Sequence, residues 1–286
     1  MNVRRILHPT DFSESAGPAF DRGVELARCF RAELHVLHVV ERLGIDPIRG
    51  AFGARLDRPR FDRELTHAAD RRMEDIEKDL KRISVEHRIV RRVGSVPAQE
   101  ILQYADEAGI DLVVMGTHGR RGFRKMVAGS VAIEVVRKAS SPVLTVGRHV
   151  RHSSGVFRRV LVPVDFSEHA RTAFMYARDM ANSLGAELHA LHVFEKPAVP
   201  SFFETSIDMY YGSLEIMLDT ARRELARLND AKDSADLDAV LEVRVGYAVD
   251  EILKRAHEVQ ADLIVLSTHG MTAIPRFFLG SVSERV

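Results

Sequence analysis

A glycine-containing stretch occurs twice in this chain, and that repetition limits the possible folds more than any single residue does. The first copy runs Gly116, Thr117, His118, Gly119 and, after nine residues, Gly129-Ser130; the second runs Ser267, Thr268, His269, Gly270 and, after nine residues, Gly280-Ser281. An apolar, strand-like run leads into each, 111–115 and 262–266. Upstream landmarks recur too. Pro9-Thr10-Asp11-Phe12-Ser13-Glu14 returns as Pro163-Val164-Asp165-Phe166-Ser167-Glu168, and Glu33-Leu34-His35-Val36-Leu37-His38-Val39 as Glu187-Leu188-His189-Ala190-Leu191-His192-Val193, both at an offset of 154 residues. From Gly119 to Gly270 the offset is 151, so the second copy is three residues shorter in its middle. Self-similarity of this kind means one domain, twice.

The length of 286 residues suits two domains, each able to bury its own core. The expected boundaries are 1–147 and 157–286, separated by the polar, aperiodic stretch 148–155. Within the first repeat, strand-like runs at 6–8, 33–40, 88–93, 111–115 and 143–146 alternate with helical spacing at 16–30, 61–83, 97–108 and 131–139. Alternation of this kind predicts α/β domains, doubly wound, each with a parallel sheet covered by helices on both faces. The chain stops at Val286, before any counterpart of the strand at 143–146, so the last strand of the second repeat is missing from this chain.

Composition narrows the class. The 41 basic residues balance 41 acidic ones, which argues against a dedicated nucleic-acid binder. A single cysteine, Cys29, excludes a disulfide framework, and its place in an amphipathic run reads as a buried structural thiol. No stretch approaches the roughly 20 apolar residues of a membrane span, and the first residues lack the apolar core of a signal peptide. The expected location is cytoplasmic.

In doubly wound sheets ligands bind beyond the carboxyl ends of the strands, where Asp11, Val39 and Gly116 fall. Glycine at a strand end allows close backbone approach. Ser130 stands at the N-cap position of the helical run after it, and a helix N-terminus attracts phosphate. Arg120, Arg121, Arg124 and Lys125 lie inside the first loop, whereas the second has only Arg276. The pattern is neither Walker A nor the dinucleotide fingerprint.

Its spacing, preceding strand and following helix resemble the universal stress protein family, whose pattern is Gly, two residues, Gly, nine residues, Gly-Ser/Thr, and the chain resembles a tandem, two-domain member. The resemblance implies a five-stranded parallel sheet of order 3-2-1-4-5 per domain and, in the ATP-binding branch, an adenine nucleotide in the crevice. It places Pro9, Thr10, Asp11 and Val39 on the adenine and ribose side, and Met115 beside the ring. Gly116, His118, Gly119 and Arg120 would lie along ribose and phosphates, with Gly129, Ser130 and Val131 holding the triphosphate. The second-repeat counterparts are Asp165, Val193, Leu266, Ser267, Gly270, Gly280, Ser281 and Val282. There Ser267 replaces the first glycine and Pro275 stiffens the loop, so weaker binding is expected, although Ser281 and Glu284 form a capping-box pattern. The family also implies pairing through the last strand, hence an internal pseudo-dimer and a homodimer of the chain.

Simpler roles compete at several positions. His35 and His38 are three apart on a strand, on opposite faces, and read as structural, as do His189 and His192. Asp11 and Asp165 read equally as turn formers. Arg71-Arg72 and Arg91-Arg92 read as solvated surface. The leading functional expectation is a non-catalytic, ATP-binding stress-response or signalling protein. Its alternatives are a slow ATPase or nucleotide hydrolase, in which Mg2+ would accompany ATP with Asp11 as the candidate carboxylate and His118 or His269 as a general acid, and a nucleotide-free interaction scaffold.

Overall fold

Short runs of Val, Ile and Leu buried on both faces form the inner strands of two parallel sheets, as a parallel sheet with helices on each side requires, and the edge strands are only partly buried. The computed structural model describes residues 2–41, 58–117, 129–147, 157–195, 207–230, 237–268 and 280–286. These belong to two compact units, Asn2–Val156 and Phe157–Val286.

In the first unit the order is β1 (Arg5–Pro9), α1 (Gly17–Phe30), β2 (Glu33–Glu41), α2 (Arg58–Arg82), β3 (His87–Gly94), α3 (Pro97–Ala108), β4 (Leu112–Gly116), α4 (Ser130–Lys138) and β5 (Val143–Val146). The sheet runs β3-β2-β1-β4-β5, every ladder parallel. Leu7, Leu37, Val113 and Met115 meet Ile101, Tyr104, Ala132 and Val135 of α3 and α4 on one face. Alternation along β1 turns Ile6 and His8 the other way, where α1 packs close enough that a Cβ on Gly23 would lie 3.5 Å from Leu34 and 3.9 Å from His8. Each fully buried leucine contributes on the order of 2 kcal/mol.

The second unit repeats the plan with β6 (Arg159–Pro163), α5 (Glu168–Leu184), β7 (Glu187–Phe194), α6 (Ile207–Asp230), β8 (Val240–Val245), α7 (Ala248–Glu258), β9 (Leu263–Ile264) and α8 (Ser281–Arg285). Its sheet has four strands among the described residues, ordered β8-β7-β6-β9. The sequence pattern predicts a strand at 262–266, but only two residues pair. β4 is held between β1 and β5, whereas among the described residues β9 pairs with β6 alone, through Val160–Leu263 and Leu161–Ile264.

Several other expectations change. Cys29 is exposed: the buried stripe of α1 passes through Ala19, Gly23, Leu26 and Ala27, and Cys29 lies off it in the last turn. Burial of the thiol's surroundings, then the Glu25 charge, raises its pKa. Arg92 is half-buried, ion-paired to Glu107 and Glu100 and stacked over Tyr104 at 5.1 Å, because α3 crosses that end of β3. The polar boundary stretch 148–155 lies outside the described residues.

The two equivalent helices also start differently. Ser167 caps α5, its hydroxyl accepting from the Ala170 N–H at 3.1 Å. Ser13 instead donates its hydroxyl to Asp11 at 2.6 Å, so Glu14–Ala16 forms a single 3-10 turn, and α1 begins only at Gly17-Pro18. Proline in the first turn is pre-set for such a start.

Candidate functional site

The order β2-β1-β4 places the reversal of winding between β1 and β4, and the carboxyl ends of these strands form the candidate crevice. Pro9 closes β1, and the Thr10 N–H continues the ladder by donating to the Leu37 carbonyl at 2.9 Å. Asp11 then turns the chain: its carboxylate accepts from the Ser13 N–H at 3.0 Å as well as from the Ser13 hydroxyl. Asp165 makes the same turn with the Ser167 N–H at 3.0 Å. The turn-forming reading of both aspartates therefore holds in the structure.

Between these polar residues sits a bulky one in an uncommon conformation. Phe12 has φ 60° and Phe166 φ 63°, in the left-handed region that costs a side chain such as phenylalanine energy. Each ring lies on a histidine, Phe12 on His38 at 4.3 Å and Phe166 on His192 at 4.5 Å between centroids. The two histidines in turn hold the chain just before the aspartates. His38 Nδ1–H donates to the Thr10 carbonyl at 2.8 Å, and His192 Nδ1–H to the Val164 carbonyl at 2.7 Å. These residues position the rim. The only signal in the sequence was the joint duplication of Asp-Phe-Ser and the second histidine of each strand.

Across the switch point, Met115 is buried and Gly116 ends β4. The Thr117 N–H donates to the Val146 carbonyl at 3.1 Å, and the Gly129 N–H returns to the Thr117 carbonyl at 2.6 Å, closing the base of the glycine loop. His118, Gly119 and Arg120, with Arg121, Arg124 and Lys125, lie outside the described residues. Gly129, rather than Ser130, is the N-cap of α4, with extended φ −72° and ψ 149°. Its carbonyl accepts the first helical bond, from the Ile133 N–H at 3.0 Å. Ser130 is thus the first helical residue, exposed at an end where backbone N–H groups have no helical carbonyl to bond. Val39 is half-buried in β2 and Val131 half-buried in α4.

In the second unit the Gly280 N–H donates to the Thr268 carbonyl at 2.8 Å, and Gly280 is again the N-cap. Neither Ser281 nor Glu284 forms the expected capping box; the Glu284 N–H instead donates to the Gly280 carbonyl at 3.0 Å. The Ser267 carbonyl accepts from the Ser283 hydroxyl at 2.6 Å. Val193, Leu266 and Val282 are half-buried, and a small cavity of about 140 Å³ is lined by Glu195, Tyr247, Ser281, Val282 and Arg285. His269, Gly270, Pro275 and Arg276 lie outside the described residues. Among the described residues no three His, Cys, Asp or Glu side chains cluster as metal ligands, and no helix is long and apolar enough to cross a membrane.

A doubly wound sheet with a glycine loop between strand and helix defines the class, and comparison with known proteins gives the family. The model of the universal stress protein family matches residues 2–147 and again 157–286. The chain belongs to that family, with two copies of its domain in tandem. It is 33% identical over 156 residues to universal stress protein MJ0577 of Methanocaldococcus jannaschii, covering 51% of this chain and 95% of that protein. To universal stress protein Rv2005c of Mycobacterium tuberculosis it is 28% identical over 200 residues, covering 68% of this chain and 63% of that one. Among solved structures, a universal stress protein from Archaeoglobus fulgidus shares the fold over 100% of this chain and 94% of its own, with a TM-score of 0.67 at 22% identity.

Proposed function

We propose that the first unit binds ATP in the crevice between β1 and β4, and that the protein is a non-catalytic, nucleotide-dependent stress-response or signalling protein. The observation that carries this reading is the loop base, where the Gly129 N–H bonds the Thr117 carbonyl and sets the amino end of α4, with Ser130 exposed, at the strand ends. That arrangement suits a phosphate: unbonded N–H groups and the positive end of a nine-residue helix face one point. Gly116 offers a surface without a side chain beside it, and Asp11 holds the opposite rim.

In this reading Pro9, Thr10, Asp11, Val39 and Met115 receive adenine and ribose. His118, Gly119, Arg120, Gly129, Ser130 and Val131 receive the phosphates, the first three on the sequence pattern alone. The second unit is the weaker site, because Ser267 carries a Cβ where the first unit has Gly116. Asp165, Val193, Gly270, Gly280, Ser281 and Val282 are its corresponding positions. The bound nucleotide would supply a polyphosphate whose charge the loop and helix end hold, and occupancy would bias a conformation or a partner interface.

The test is to denature freshly purified protein and count the released nucleotide by ion-exchange chromatography. Near one ATP per chain, lost in Gly129→Asp and kept in Gly280→Asp, is the expected result. No released nucleotide and no calorimetric heat on adding Mg·ATP would reject the reading, and released ADP would redirect it to a hydrolase.

A further inference from the structure

A cavity of about 280 Å³ opens in the first unit between the end of β1 and the helices α1 and α2. It lies on the face of the sheet opposite α3 and α4. Phe12, Phe20 and Ile76 line it with apolar surface, and Gly17 stands exposed at its lip. A Cβ placed on Gly17 would meet nothing within 4 Å. Asp75 and Asp79 of α2 stand at the exposed mouth, ion-paired to Lys78 and Arg82 at 3.2 Å each.

The deepest polar group is His8, only 1% exposed. Its Nδ1–H donates to the Val114 carbonyl at 2.9 Å, and its ring packs edge-on against Phe20 at 5.6 Å. With the proton on Nδ1, Nε2 carries a bare lone pair, and among the described residues nothing donates to it. Burial, working against the Val114 hydrogen bond and the Asp11 charge, lowers the His8 pKa to about 4, so this acceptor persists at neutral pH. Nε2 faces the cavity as its one deep acceptor among the described residues, placed to receive a donor from a bound ligand. The second unit has Val162 and Arg171 at the positions of His8 and Gly17.

We propose that this cavity is a second ligand site, separate from the nucleotide crevice, which takes a small aromatic molecule carrying a ring N–H or O–H donor. The ring lies against Phe12 and Phe20, as offset or edge-on aromatic packing favours. The donor reaches His8 Nε2. Arg72 also lines the cavity and Asp75 and Asp79 are each ion-paired, so the mouth carries both signs of charge and favours a neutral ligand. Thr10 borders both sites, so occupancy of the cavity lies one residue from Asp11.

The chain contains no tryptophan, so the fluorescence of added indole reports the probe without a protein indole background. Titrating the full chain with indole is expected to give saturable, one-to-one binding, with phenol competing. Gly17→Phe fills the lip without straining the backbone and should weaken indole at least tenfold. His8→Val, which installs the second unit's residue, should weaken indole at least tenfold yet leave benzene, which has no donor, unchanged as a competitor. Circular dichroism checks that each variant is folded; Gly17→Phe, at an open surface position, keeps the test decisive if His8→Val is not. Absence of saturable binding by indole and phenol, or equal indole affinity in wild type and Gly17→Phe, overturns the site. Indole affinity unchanged in folded His8→Val overturns the assigned ligand class.

Discussion

The Gly129 N–H donates to the Thr117 carbonyl at 2.6 Å, and Gly280 repeats that bond to Thr268 at 2.8 Å. Both glycines are extended, φ −72° and −60°, a conformation open to any residue. A Cβ on Gly280 would rest 3.4 Å from the Thr268 carbonyl oxygen and 3.7 Å from the Ser283 hydroxyl, ordinary contact distances. The fold therefore does not demand glycine at Gly280. Gly280→Ala is expected to change unfolding free energy by less than about 1 kcal/mol, with restriction of the unfolded chain favouring the alanine. A urea midpoint corresponding to a loss above about 2 kcal/mol would show that the loop base itself needs the glycine.

Asp111 accepts from the backbone N–H groups of both Arg4 and Arg5, at 2.8 and 2.9 Å, and so ties the start of β4 to the start of β1. Asp262 makes the same pair of bonds to Arg158 and Arg159, at 2.8 and 3.0 Å. Asp111 is half-buried and Asp262 exposed, and water replaces a lost acceptor more readily at the exposed site. Asp111→Ala should cost about 2 kcal/mol in unfolding free energy, more than Asp262→Ala. Equal losses for the two variants would contradict this account.

Phe12 and Phe166 reverse the usual order of truncation. Glycine adopts their φ of 60° and 63° without penalty, whereas alanine retains the left-handed cost while losing the ring. Both substitutions forfeit the contact with His38 or His192, so the difference isolates the backbone. Phe166→Gly should be more stable than Phe166→Ala by about 1 kcal/mol, and Phe12 should behave alike. Alanine proving the more stable at both positions would mean that the strain is absent in solution.

The alternation of strands and helices and the parallel order were legible because local period and chain topology decide them together. Once β1, β2 and β4 are parallel neighbours, Asp11, Val39 and Gly116 must share one edge. The start of α1 was legible to within a residue, 16 against Gly17, although the Ser13 bond to Asp11 that sets it was not. The N-cap of α4 was not legible either: the Gly129 carbonyl rather than the Ser130 side chain opens that helix. The exposure of Cys29 depends on where the sheet ends beneath the last turn of α1, which periodicity within one helix does not report. The cavity beside His8 was also hidden, since it arises from α2 meeting a Gly17-Pro18 helix start far away in sequence.

His8 should give the first unit a pH-dependent stability. Its folded pKa of about 4 lies below the ordinary value of 6.5, chiefly through burial, so the unfolded chain takes up a proton that the folded one refuses. Stability from this group is present above pH 6.5 and is lost as pH falls through about 4. The full span is on the order of 3 kcal/mol. Other titrating groups contribute to the same curve, so the measurement is the difference between wild type and His8→Val in urea unfolding from pH 7.5 down to 4.5. The wild type should lose stability more steeply, and parallel curves would refute the assignment.

Equivalent histidines in the two units should respond oppositely to the same substitution. His35 is buried with both ring nitrogens bonded: Nε2–H donates to Glu33 at 2.8 Å, and the Tyr104 hydroxyl donates to Nδ1 at 2.7 Å. At the position of Tyr104 the second unit has Arg255, which turns to Glu242 at 2.8 Å. His189 is thereby left buried with neither ring nitrogen hydrogen-bonded, its Nε2 3.3 Å from a Glu187 oxygen but off the angle of a bond. Its pKa is lowered, first by burial, so the ring is neutral and apolar replacement discards no charge at neutral pH. Removing a bonded partner strands the group left behind, whereas removing an unbonded one relieves a desolvation cost. His35→Leu is therefore expected to destabilise by about 1–3 kcal/mol, with the Tyr104 hydroxyl stranded. His189→Leu should be neutral or stabilising. Urea unfolding followed by circular dichroism at pH 7.5 distinguishes the outcomes, and a comparable loss in both variants would mean that His189 has a partner in solution.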